Sequence, residues 1–210
     1  MNVAGVAESR RAKSAAKVLL VGWAGADFGI AREQLAAGHM PCLARIAGAG
    51  AFGLIDGCAP ASSPMAWTTI ATGKDPEQHG IHGFASIDEG SGRATPISGA
   101  ARRTKALWNL LSEQGNHCGI VGWLGSHPAE AIHGVFVSDA FARGTSAPPL
   151  PGSVFPADRE ADLSDLRLAG GDVDPGLLGL FIPRLKEIDL GCDSRPARLL
   201  ERLAELYTLH

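Results

Sequence analysis

The sequence predicts an α/β fold in which a largely parallel sheet is flanked by helices. Three observations lead there. Val18–Val21 and Cys118–Leu124 are short, nearly continuous apolar runs, as expected of strands covered on both faces. The stretches between them carry helical apolar spacing, bounded by Ser/Thr-Pro starts and Gly stops. Strand-like and helix-like segments then alternate along the chain, the pattern of βαβ units. Composition agrees. With 45% hydrophobic and 20% charged residues, the 210-residue chain has a globular balance that excludes wholesale disorder. Its 27 glycines follow no Gly-X-Y period and imply tight turns.

The first strand expected is Val18–Val21, ending at Gly22, with a turn over Trp23–Asp27. Helical spacing follows from about Ile30 to Ala37, closed by Gly38. A second helix opens at Pro41, with Leu43 and Ile46 on one face. Ala51–Ile55 reads as a short strand. Pro64–Thr72 reads as a helix that Ser63 would cap and Gly73 would end. From Asp75 to Ser98 the chain is rich in Gly, His, Pro and Ser, and is expected to be a long functional loop or lid. Thr104 should cap an amphipathic helix bearing Leu107, Leu110 and Leu111, stopped at Gly115. Strands are expected at Cys118–Leu124 and Val135–Ser138. Asp174-Pro175 opens a short helix that Pro183 interrupts, and a last helix carries Leu199, Leu200, Leu203, Leu206 and Tyr207 on one side.

This pattern divides the chain into a disordered tail over 1–16, a main α/β part over 17–143, a Pro-rich linker or excursion over 144–165 and a helical segment of the same domain over 166–210. No internal repeat is visible.

Several function classes are excluded at this level. A net charge of −3 leaves no electrostatic footprint for a nucleic-acid polymer or an anionic membrane. No run approaches the roughly 18 apolar residues of a spanning helix, and the first 16 residues lack a signal-peptide core. Cys42, Cys58, Cys118 and Cys192 form no CxxC pair and read as free thiols. The expected location is cytoplasmic. Gly22, Gly25 and Gly29 after the first apolar run do not have GxGxxG spacing, so a dinucleotide cofactor is excluded there.

The segment Ser63–Phe84, SPMAWTTIATGKDPEQHGIHGF, holds the candidate chemistry. A serine at a helix start faces unpaired N–H groups and the positive end of the helix dipole, where phosphate or sulfate is favoured. If a base or metal lowered its pKa, that hydroxyl could attack phosphorus. On the residues alone it could equally be a plain cap worth about 1 kcal/mol. Asp27 could ligate a metal or cap the next helix, the cap being the simpler role. His79 and His82 lie in the Gly-rich loop and could approach a ligand or stabilise its turns; neither has metal spacing to another His or Cys.

Three strings in order, KVLLVGWAGADF at 17–28, SPMAWTTIATGKDPEQHGIHGF at 63–84 and RRTKALWNLLSEQGNHCGIVGWLGSHPAEAIHGVFVSDAF at 102–141, resemble the type I phosphodiesterase/nucleotide pyrophosphatase family of the alkaline phosphatase superfamily, its bacterial members above all. A sulfatase or phosphomutase is the alternative within that superfamily, but the string WTTIATGKDPEQHGI favours the diesterase branch. The resemblance implies an alkaline-phosphatase-like core. It also implies hydrolysis of phosphodiester or pyrophosphate bonds at two divalent metals, usually zinc. Ser63 falls at the family's nucleophile, and Trp67 and His79 become substrate-binding candidates in the same string.

The family's first metal-holding Asp after strand one is matched here by Ala24, while Asp27 matches a second Asp that is not the usual ligand. The remaining ligands come from a half of the family fold that this sequence does not reach before His210. No metal ligand is therefore assigned, and the core is expected to be truncated and inactive alone. The expected ligand is a small phosphate ester, and a partner chain could supply the missing half. The alternative to an enzyme is a non-catalytic remnant that binds phosphate or acts as an interaction module.

Overall fold

The computed structural model describes residues 17–55, 57, 62–87, 90–144, 147–182, 184–187 and 194–210. The predicted 1–16 tail, Pro183, Cys58 and Cys192 lie outside these. The chain divides into two compact units between Ile55 and Asp56.

The first unit holds helices α1 (Phe28–Ala36) and α2 (Pro41–Ala49). Asp27 accepts a hydrogen bond from the Ile30 N–H at 2.9 Å, the N-cap arrangement that starts α1. Pro41 starts α2, since its missing N–H costs nothing in a first turn. Phe28 and Phe52 stack with ring centroids 5.2 Å apart. The strands expected at Val18–Val21 and Ala51–Ile55 are not formed. Both segments lie outside any ladder, and Val18 and Leu19 are each 87% exposed and Ile55 95%. A strand of the buried parallel type needs paired neighbours and covered faces, and these segments have neither.

In the second unit, α3 (Ser63–Thr72) leads through Gly73 into the single turn α4 (Pro76–His79). Gly73 takes the left-handed conformation, φ 63°, that only glycine adopts without cost. A hairpin β1 (Ala85–Ile87) and β2 (Ala94–Pro96) follows, so the stretch expected to be one long loop is largely structured. Next come α5 (Leu107–Glu113), β3 (Cys118–Val121), β4 (Gly134–Val137) and β5 (Val154–Phe155). Helices α6 (Arg159–Ser164), α7 (Leu178–Phe181) and α8 (Ser194–Leu209) complete the order.

The α/β class stands, but the sheet is not predominantly parallel. Among the described residues β3 pairs with β4 in parallel, while β4–β5 and β1–β2 are antiparallel. The 144–165 stretch is more than a linker, because it contributes β5 and α6. Nor does Thr104 cap α5. The N-cap position is Ala106, whose N–H donates to Asn109 Oδ1 at 2.8 Å, so a side chain of the first turn reaches back to satisfy the helix start. The buried side chain of α5 is Trp108, whereas Leu107 and Leu110 are each 43% exposed.

The main core gathers Ala71, Ala106, Trp108, Cys118, Ile132 and Phe136. Aromatic rings run through it edge to face, Trp67 on Trp123, Trp123 on Trp108, Trp108 on Phe136, at 5.0, 6.0 and 5.4 Å. A second cluster packs Leu203 and Ala204 of α8 against Val173 and Leu178. That is where the predicted apolar stripe of the last helix is covered; Leu206 and Tyr207 remain exposed.

Candidate active site around the start of helix α3

Helix α3 is fixed along one side and exposed at its first residue, Ser63. Pro64, Met65, Thr68 and Ala71 are buried. The Thr68 and Thr72 hydroxyls donate to the carbonyls of Pro64 and Thr68, each at 2.7 Å, so these polar groups are satisfied inside the helix. The N-cap position belongs to Ser62 and not to Ser63 as the sequence suggests; Pro64 suits the second helical position as well as the first, which shifts the boundary by one residue. Ser62 Oγ donates to the His82 carbonyl at 3.2 Å and ties the helix start to the loop after α4. Ser63, the first helical residue, is exposed. Its hydroxyl thus sits on the positive end of a ten-residue helix dipole.

His79 is fully buried. The Ile81 N–H donates to its Nδ1 at 3.1 Å, so that nitrogen is the acceptor and Nε2 carries the proton, donated to Thr69 Oγ1 at 3.0 Å. Burial, and secondarily the nearby His82, hold its pKa below the ordinary 6.5, which keeps the ring neutral. Both ring nitrogens are therefore engaged in pinning the α4 turn to α3. Thr69 is six residues along the helix from Ser63, roughly 9 Å of axial rise, so His79 is not brought to the Ser63 hydroxyl. Trp67 stands one turn from Ser63; its carbonyl accepts from Trp123 Nε1 at 3.1 Å and its ring packs edge to face on Trp123.

Sequence reasoning missed a polar network beside this helix. Arg102 Nη2 reaches both carboxylate oxygens of Glu130 at 2.9 Å. Glu130 also accepts from Trp108 Nε1 at 3.0 Å and Asn109 Nδ2 at 2.8 Å. With Thr68, Ser98 and Trp123, Arg102 and Trp108 line a narrow cleft. A second cluster lies at the end of β4. There the buried Asp139 accepts from the N–H groups of Ser126 and His127 and pairs with Arg143. The one available sequence signal was the position of His127 and Glu130 just after a strand.

The family's two metal ions do not fit the residues that the structure describes. No group of three or more His, Cys, Asp or Glu side chains is gathered among them. Ala24 offers no donor, and the Asp27 carboxylate is used by the Ile30 N–H.

The family model described as "Type I phosphodiesterase / nucleotide pyrophosphatase" matches residues 19–174. The match puts this α/β chain in the alkaline phosphatase superfamily. Within it, the chain belongs to the type I phosphodiesterase/nucleotide pyrophosphatase family. No curated protein and no solved structure matches. Among the described residues, no helix is long and apolar enough to cross a membrane.

Proposed function

We propose that this chain carries the nucleophile-bearing part of a phosphodiester or pyrophosphate hydrolase, with Ser63 as the attacking hydroxyl. The observation that carries the reading is the exposed Ser63 on the first turn of α3, a helix held by its buried face and by the Ser62–His82 bond. Backbone N–H groups and the helix dipole at that turn favour an incoming phosphoryl oxygen. A rigid helix holds the hydroxyl in place, which favours in-line approach. Family membership supplies the reaction class. The substrate we assign is a small phosphate ester rather than a nucleic-acid polymer. The family is metal-dependent, so the ligands would come from outside the described residues, a partner chain being one source.

A second reading is favoured by Ala24 and by the lack of a carboxylate and histidine cluster among the described residues: a non-catalytic module that keeps phosphate affinity at the α3 start. One assay separates them. Hydrolysis of bis(4-nitrophenyl) phosphate is measured with and without Zn²⁺ and Mn²⁺, for the wild type and Ser63→Ala. Metal-dependent turnover that falls to background in Ser63→Ala supports the first reading, and turnover unchanged in that variant rejects Ser63 as nucleophile. Phosphate binding that is indifferent to metal, with no turnover, establishes the second reading.

A further inference from the structure

Two histidines meet on the surface at the strand starts. His117 and His133 occupy the register position just before the paired Cys118 and Gly134 of the parallel strands β3 and β4. Both are exposed, and their ring centroids are 5.3 Å apart with planes at 71°. His133 is held firmly. Its N–H donates to Ser112 Oγ at 2.6 Å, its carbonyl accepts from the Cys118 N–H at 2.9 Å, and its Nδ1 lies 3.1 Å from the Gly115 carbonyl.

A carbonyl only accepts, so His133 Nδ1 carries the ring proton and Nε2 keeps its lone pair. This is the arrangement by which a backbone carbonyl sets the tautomer and raises the basicity of a metal-ligating histidine. The spacing matches as well. With zinc–nitrogen bonds of about 2.0–2.1 Å, a ligating imidazole has its centre about 3.2 Å from the ion, and two at a tetrahedral angle have centres about 5.2 Å apart.

We propose that His117 and His133 form a two-imidazole surface site for a borderline divalent transition-metal ion, Zn²⁺ or Ni²⁺, with water completing the coordination. Imidazole ligands suit these ions, and exposure leaves room for the waters. The site uses none of the residues on which the phosphoester reading rests.

The test is calorimetric titration of the chelator-stripped chain with ZnCl₂, together with ¹⁵N spectra of the imidazole nitrogens. We expect one equivalent bound, weakened at least about tenfold in His117→Ala and equally in His133→Ala, because each leaves a single imidazole. In the wild type, the Nε2 resonance of His133 and one nitrogen of His117 should shift together on adding zinc. An unchanged Kd in both variants overturns the site, as does zinc binding that leaves both rings' resonances in place. The wild-type spectra decide the matter even if a variant folds poorly.

Discussion

Arg102 donates through a single guanidinium nitrogen to both carboxylate oxygens of Glu130, at 2.9 Å each, and its guanidinium lies 5.2 Å from the centre of the Trp108 ring. The Arg102 side chain is 9% exposed and that of Glu130 26%. Asn109 and Trp108 also donate to this carboxylate, so the half-buried charge pair sits in a shared hydrogen-bond network. The pair joins the segment before α5 to the segment before β4, two parts of the chain that flank the core around Trp108 and Phe136.

Removing one partner should therefore be costly. Glu130→Ala leaves a buried guanidinium without its counter-ion and is expected to lower unfolding stability by about 3 kcal/mol. Lys105→Ala breaks the exposed pair with Glu113 and should cost under about 1 kcal/mol. Urea unfolding of both variants checks the contrast. Equal, small losses would mean that the Arg102–Glu130 network does not bear on stability.

Gly134 opens β4 at φ 148°, and a Cβ built there would lie 1.8 Å from the Cys118 carbonyl oxygen. That oxygen belongs to the paired strand, so relief requires the β3–β4 ladder to separate. Gly134→Ala is expected to lose about 4 kcal/mol or more, the range of severe backbone and packing defects. Gly119 in β3 has open space around the same added atom, and Gly119→Ala should cost under about 1 kcal/mol. Thermal unfolding of the two variants is the measurement, and similar melting temperatures would contradict the close approach.

These contacts explain which parts of the fold were legible in the sequence. Helix α3 was readable because its apolar spacing coincides with the local start and stop residues Pro64 and Gly73, and β3 and β4 were readable as apolar runs, although β3 ends at Val121 and not at Leu124. The β1–β2 hairpin, β5 and α6 were not, because they are two to six residues long and lie in Gly- and Pro-rich sequence where local preference is weak. Val18–Val21 misled for the opposite reason. An apolar run marks a segment that would be stable between neighbours, and the pairing itself is not written in it. The start of α3 was legible to within one residue, its N-cap being Ser62 and not Ser63, whereas the pairing of Arg102 with Glu130 was not. Their roles arise only when residues 28 apart in sequence meet.

Asp27 is used as a helix cap, and this has a separate test. Asp27→Ala should free the Ile30 amide and cost about 1 kcal/mol, which is about fivefold faster exchange of that amide. Asp27→Asn should behave like the wild type, since asparagine caps equally well. Amide exchange followed by NMR decides this. Protection of Ile30 that rises on adding zinc in the wild type would instead mark Asp27 as part of a metal site.

Two histidines, the buried His79 and the half-buried His127, contribute to the pH response. Burial lowers the pKa of His79, and of His127 despite the nearby Asp139, which acts in the opposite direction. Each protonates less readily in the fold than in the unfolded chain, where the ordinary value is 6.5. Between the lowered value and 6.5 the unfolded state binds more protons, so stability rises with pH there. The contribution is present above 6.5 and is lost as pH falls through the folded value. Protonating His79 puts a proton on Nδ1 against the Ile81 N–H, so that buried bond is lost while the Nε2 bond to Thr69 is kept. We expect the urea midpoint to fall steadily as pH drops below 6.5, and His79→Gln to make that slope shallower while costing stability at pH 8. A variant whose slope equals the wild type's would show that His79 does not titrate with unfolding, leaving His127 and the carboxylates as the source.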